Sequence, residues 1–148
     1  MPKQPSSSAS SPRANSDTEQ LADAVRQALA AFPELDLVIL FGSAATAQLT
    51  TDSDIDIAVA SAIPLAAPQK RAYTEALALA LGRPIDLVDM QTASAPLLKS
   101  ILSTGRILRK SEPVTYAQIL RRLWRWDADL SHNHERLLQR RRQNAFSR

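Results

Sequence analysis

The stretch LVILFGSAATAQLTTDSDIDIAVA, residues 37–60, decides how this chain is read. Leu37 to Phe41 is a continuous apolar run of strand length, as expected of a strand covered on both faces. Gly42-Ser43 breaks it. Ala44 to Leu49 has enough alanine for a short helix starting at the break, and Thr50 to Ser53 is a polar connection. Asp54 to Ala60 then alternates as a second strand. Residues i and i+2 of a strand share a face, so Asp54 and Asp56 project together while Ile55 and Ile57 enter the opposite side. Two carboxylates side by side in a half-buried strand are unfavourable unless a cation neutralises them. Oxygen ligands grouped in this way suit Mg²⁺, which takes one or two carboxylates with phosphate oxygens and water. A glycine at a strand end permits a sharp turn and close approach of a ligand. A helix beginning there would aim free N–H groups at an anion, for which phosphate is the natural candidate, and Ser43 would add a hydroxyl donor.

Working outward, Ser16 or Asp17 can cap a helix running to about Ala31, with Leu21, Ala24, Val25, Ala28 and Leu29 on one face and Pro33 just beyond. Residues 1–16 are rich in Ser and Pro, lack the apolar centre of a signal peptide, and read as a disordered arm. Downstream, Pro64 and Pro68 bound a loop, and Gln69 to Leu81 is a second helix stopped by Gly82 and Pro84. Ile85 to Met90 is a third strand, Ala95 to Ser103 a third helix, and Arg106 to Arg109 a short strand after Gly105. Glu112-Pro113 separates this body, residues 17–113, from a basic amphipathic helix in residues 114–148, about Thr115 to Arg142. There Tyr116, Leu123, Leu130 and Leu137 recur every seven residues, with Ile119 and Trp126 between them. Alternating helices and strands indicate an α/β domain, a small mixed sheet with helices packed on it.

Composition narrows the classes. The 148 residues can bury a sizeable core, no apolar run reaches membrane-helix length, and the absence of cysteine removes disulfides, thiolate metal sites and a cysteine nucleophile. That fits a reducing cytoplasm. Net charge is +3, unevenly spread: residues 17–113 hold 8 Lys/Arg against 12 Asp/Glu, whereas residues 114–148 hold 8 against 3. The basic character therefore belongs to the tail, where it suits nucleic acid, an acidic partner, or a solvated helix face.

Gly42-Ser43, ten intervening residues, then Asp54-Ile55-Asp56 resembles the signature of the DNA polymerase β-like nucleotidyltransferase superfamily. The short chain and the wording Val-Ile-Leu-Phe-Gly-Ser…Asp-Ser-Asp-Ile-Asp-Ile-Ala-Val are similar to its minimal nucleotidyltransferase (MNT) branch. The likeness covers about Leu21 to Leu108 and includes Gly82-Arg83-Pro84-Ile85-Asp86-Leu87-Val88-Asp89. It implies a third carboxylate on a following strand. Asp86 and Asp89 are three apart and face opposite sides, so only one can serve; Asp86 matches the family position, and Asp89 is expected to be a cap or turn residue. The resemblance further implies ATP as substrate and two Mg²⁺ ions held by Asp54, Asp56 and Asp86. Gly42 and Ser43 would bind the β and γ phosphates, and Asp86 would help take the acceptor proton. Many MNT proteins follow Gly-Ser with an arginine and a second glycine; here Ala44-Ala45-Thr46-Ala47 stands instead.

Many members of that branch are antitoxins encoded beside HEPN-domain toxins, and some transfer AMP to a toxin tyrosine. The resemblance thus implies a HEPN-type toxin as partner. The rival expectation is a binding module that neutralises its partner by contact through the Tyr116–Leu137 stripe. Nucleic-acid binding by the tail rests on Trp124, Trp126 and the run Arg140-Arg141-Arg142. His132 and His134 do not share a helix face, so a joint metal site there is disfavoured. Tyr73 and Tyr116 could in principle accept a nucleotide, but nothing local marks either.

Overall fold

A computed structural model describes residues 12–46, 50 and 52–146. Four strands form one mixed sheet in the order β3-β2-β1-β4, from β1 (Leu37–Phe41), β2 (Ile55–Ala60), β3 (Ile85–Asp89) and β4 (Arg106–Lys110). The central strands β1 and β2 are antiparallel, β4 is antiparallel to β1, and β3 runs parallel to β2. The helices are α1 (Pro12–Ala28), α2 (Ala67–Leu81), α3 (Ala95–Thr104) and α4 (Pro113–Phe146).

The period of two explains how both faces are covered. Val38, Leu40, Ile55, Ile57, Val59 and Leu87 join one core with Ala22 and Val25 of α1, Leu29 just beyond it, and Tyr73 and Leu77 of α2. Leu37, Ile39, Ala58 and Ala60 enter the opposite core with Leu98 and Ile101 of α3 and Ile119 and Leu123 of α4. Apart from Asp56, β1 and β2 are hydrophobic because both faces of them are covered.

The structure moves several expected boundaries. α1 starts at Pro12, four residues before the anticipated cap, so part of the expected N-terminal arm is helical; residues 1–11 lie outside the described residues. Proline suits a first helical turn, where its missing N–H has no partner to lose. Ser16 is no cap: its hydroxyl donates back to the carbonyl of Arg13 at 2.7 Å. The helix stops at Ala28 instead of Ala31, and Arg109 of β4 donates to the carbonyls of Leu29, Phe32 and Leu35 at 2.7, 2.9 and 3.2 Å. That capture by a residue 80 positions away leaves no local trace in the sequence.

No helix of the expected kind opens at Ala44. A single 3-10 turn covers Gly42–Ala44, followed by a turn at Ala45 and Thr46; the remainder of the expected helix, residues 47–49, lies outside the described residues. The tail helix is longer than expected, and its stripe divides. Ile119 and Leu123 are buried against the sheet and Tyr116 and Trp126 are half-buried, whereas Leu130 and Leu137 are exposed. Every residue with a described side chain from Ala128 onward is exposed.

Candidate active site

The end of β1 and the starts of β2 and β3 meet at one edge of the sheet. The antiparallel ladder sets Phe41 opposite Asp56, and the parallel ladder sets Asp56 opposite Asp86. Both aspartates therefore leave the sheet on the face covered by α3 and α4, while Ile55 sinks into the core beneath α1 and α2. Asp54 stands just ahead of β2, exposed at its mouth.

Asp56 is the half-buried member, and its carboxyl is pushed above the usual carboxylate value of 3.8. Burial is the largest cause. The charge of Asp86, a side-chain hydrogen bond with Asp86, and the charge of Asp54 add to it in that order. The structure thus brings Asp56 and Asp86 into contact and leaves Asp54 within electrostatic reach. Among the described residues, no three acidic or histidine side chains close into a ready metal cage. The pair Asp56–Asp86 is the nucleus of the site, and Asp54 is its outer member.

Gly42 is shaped by this arrangement twice over. Its φ is +68°, where a side chain is strained. A Cβ placed there would also stand 2.2 Å from Oδ2 of Asp56 and 3.0 Å from its Cγ. Any larger residue would push the carboxylate aside. Ser43 follows in the same 3-10 turn, partly exposed, one residue from the glycine that packs against Asp56. Among the described residues this segment offers a glycine turn and a hydroxyl, and no α-helix opens at Ala44.

Asp89 behaves as a turn residue. It is buried, and its carboxylate accepts from the Leu65 N–H at 2.8 Å and the Gln91 N–H at 2.9 Å, tying the β2–α2 connection to the turn that follows β3. Tyr73 is buried, with its hydroxyl donating to Glu34 at 2.5 Å, and Tyr116 lies beneath the Lys110 ammonium. Sequence reasoning overlooked Arg83. Its guanidinium donates to the carbonyls of Thr50 and Ser53 directly before Asp54. The only signal was its place in Gly82-Arg83-Pro84, ahead of the strand that carries Asp86.

Comparison with known proteins gives a consistent set. A family model described as "Polymerase beta, Nucleotidyltransferase" matches residues 23–113. A protein adenylyltransferase, MntA of Shewanella oneidensis, is 38% identical over 76 residues, which is 51% of this chain and 55% of the relative. The alignment thus spans about half the length of that curated relative. Among solved structures, a toxin–antitoxin complex with AMP-PNP contains a chain that superposes with a TM-score of 0.66 at 26% identity, covering 80% of this chain and 95% of that one. The fold also recurs, at TM-score 0.62 and 24% identity, in a complex of a tri-AMPylated Shewanella oneidensis HEPN toxin with its MNT antitoxin; 82% of this chain and 96% of that chain are covered.

Proposed function

The chain belongs to the polymerase beta nucleotidyltransferase family, and from that premise we propose that it is an Mg²⁺-dependent adenylyltransferase acting as an antitoxin. It would move AMP from ATP to a hydroxyl, a tyrosine, of a HEPN-type toxin. The name of the MntA relative and the AMP-PNP complex of a similar toxin–antitoxin pair support this reading. The observation that carries it is the register pair Asp56–Asp86 with Gly42 packed against Asp56.

The residues fit a metal. Two carboxyls that meet on adjacent strands, one of them held toward its protonated form, are costly until a cation joins them. Asp54, Asp56 and Asp86 would hold two Mg²⁺ ions. Bound there, the metals supply neutralisation of the triphosphate and of the charge developing on the entering and leaving oxygens.

The chain's own groups do the rest. Gly42, without a side chain, lets the phosphates approach the backbone, and the Ser43 hydroxyl donates to them. Asp86, the more exposed of the paired carboxylates, receives the acceptor proton. The acceptor oxygen bonds to the α-phosphorus as the bond to pyrophosphate breaks. Incubation with labelled ATP, Mg²⁺ and the neighbouring gene's product tests this: label should appear on that product and vanish with Asp56→Asn. Label that persists in the variant would refute it.

One observation favours a second reading, neutralisation by contact alone. Leu130, Leu137 and Leu138 on the outer half of α4 leave apolar surface exposed among the described residues. The double variant Asp54→Asn with Asp56→Asn separates the two. Full neutralisation by that variant supports contact, and its loss supports transfer.

A further inference from the structure

Arg83 lies between α2 and β3, three residues before Asp86, and makes no ion pair among the described residues. Its Nη2 donates to the carbonyl of Ser53 at 2.7 Å and to that of Thr50. Its Nε is buried and has no hydrogen-bond partner among the described residues. The next residue, Pro84, accepts from the Ile55 N–H at 3.0 Å, after which Ile55 pairs with Ile85 and Asp56 with Asp86. The Arg83-Pro84 segment thus grips the approach to β2 at three successive points, on either side of Asp54.

We propose that Arg83 is a positioning residue that sets the separation between the Asp54–Asp56 pair and Asp86. Asp54 stands outside the β2–β3 ladder, and Ile55 and Asp56 begin it, where strand ends fray. Three like charges at such an end push it apart. A guanidinium resists this because it stays charged at any working pH and its planar Nη2 amino group holds both carbonyls in a fixed geometry; a lysine ammonium has no such fixed geometry. An unpartnered buried N–H is a cost that stability alone does not explain, and such costs gather where placement matters to function. The acceptors are main-chain carbonyls, so the clamp fixes the path of the chain whatever the neighbouring side chains are.

This inference rests on the reading of Asp54, Asp56 and Asp86 as the metal and nucleotide site, and the test separates the two. Full-length wild type, Arg83→Met, Arg83→Lys and Asp56→Asn are compared for binding of Mg²⁺ with a non-hydrolysable ATP analogue by calorimetry. Hydrogen exchange at the Ile55 and Asp56 amides is measured in parallel without ligand. Arg83→Met should keep the wild-type circular dichroism spectrum, weaken Mg²⁺-nucleotide binding by roughly tenfold or more, and speed exchange at both amides. Arg83→Lys should fall between. Wild-type affinity and exchange in a folded Arg83→Met would overturn the proposal. If that variant does not fold, Arg83→Lys decides, and wild-type values there also overturn it. If wild type binds no Mg²⁺-nucleotide, or Asp56→Asn binds it equally well, the site reading fails. The exchange measurement then still reports on the clamp, with unaltered amides counting against it.

Discussion

At the scale of single residues, Asp56 carries the electrostatic cost of the acidic cluster. Its folded-state carboxyl has a raised pKa, so the folded protein holds that proton more tightly than the unfolded chain does. The contribution to stability is full below the unfolded value of 3.8 and is lost as pH rises through the folded value. In metal-free protein, Asp56→Asn should therefore raise the melting temperature at neutral pH, with the gain shrinking toward pH 4. Thermal melts across that range, with and without Mg²⁺, check the sign; the gain should disappear when Mg²⁺ stabilises the wild type. Gly42→Ala is expected to fold but to displace the Asp56 carboxylate, because the new methyl would lie within 2.2 Å of Oδ2. A misplacement of about 1 Å can cost roughly a hundredfold in rate, so transfer to the partner should fall on that scale while the far-ultraviolet spectrum stays unchanged.

At the scale of elements, α4 serves two purposes along one helix. Its first half is part of the core: Ile119 is buried, Thr115 donates to Asp36 at 2.7 Å, and Arg122 donates to the carbonyls of Met90, Gln91 and Ala93. Ile119→Ala should lower unfolding stability by about 2–5 kcal/mol in urea titration, the usual range for emptying a packed aliphatic site. The outer half is exposed throughout its described side chains, outside the packed core. Deletion of Ser131 to Arg148 should leave the unfolding free energy from urea titration within about 0.5 kcal/mol of the full chain, as surface changes usually do. Partner capture, measured with the same protein, should weaken if contact through Leu137 and Leu138 matters. The element α2 is pinned differently, through the bond from Tyr73 to Glu34. Burial first and that bond second push the Tyr73 phenol from 10.0 to about 12. Its share of stability is therefore present below pH 10 and lost as pH rises from 10.0 toward about 12, a loss that Tyr73→Phe should lack in alkaline melts.

At the scale of the whole molecule, the fold is a device for bringing three chain segments to one sheet edge. The sheet order places β2 between β1 and β3, so the glycine turn after β1 and the Asp86 strand flank the central aspartates from either side. Ligand binding at that edge should couple to global stability. A saturating Mg²⁺-nucleotide complex, at a hundred times its dissociation constant, should stabilise the protein by about 2.7 kcal/mol through mass action. Asp56→Asn should show little of that shift by differential scanning fluorimetry.

Local chemistry made much of this legible in the sequence. The apolar run Leu37 to Phe41, the turn at Gly42 and the alternation after Asp54 each depend on neighbours within a few residues, so their strand and turn characters could be read directly. The opposite facing of Asp86 and Asp89 followed from strand geometry alone. What the sequence could not reveal were the pairings across the fold. These include the direct contact of Asp56 with Asp86 while Asp54 stays outside, within a trio the resemblance had grouped, Gly42 closing on the Asp56 carboxylate, and the capture of distant carbonyls by Arg83, Arg109 and Arg122. The reason is physical: an arginine fork is satisfied by any carbonyl the fold brings within reach, and nothing in the adjacent sequence says which. The helix expected to start at Ala44 marks the same boundary: in the described residues Gly42–Ala44 form a 3-10 turn that packs Gly42 against Asp56. By itself the sequence determined the strands, the glycine turn and the acidic residues. Only the tertiary structure decided which of those acids touch and what holds them there, because register and long-range capture are properties of the packed chain.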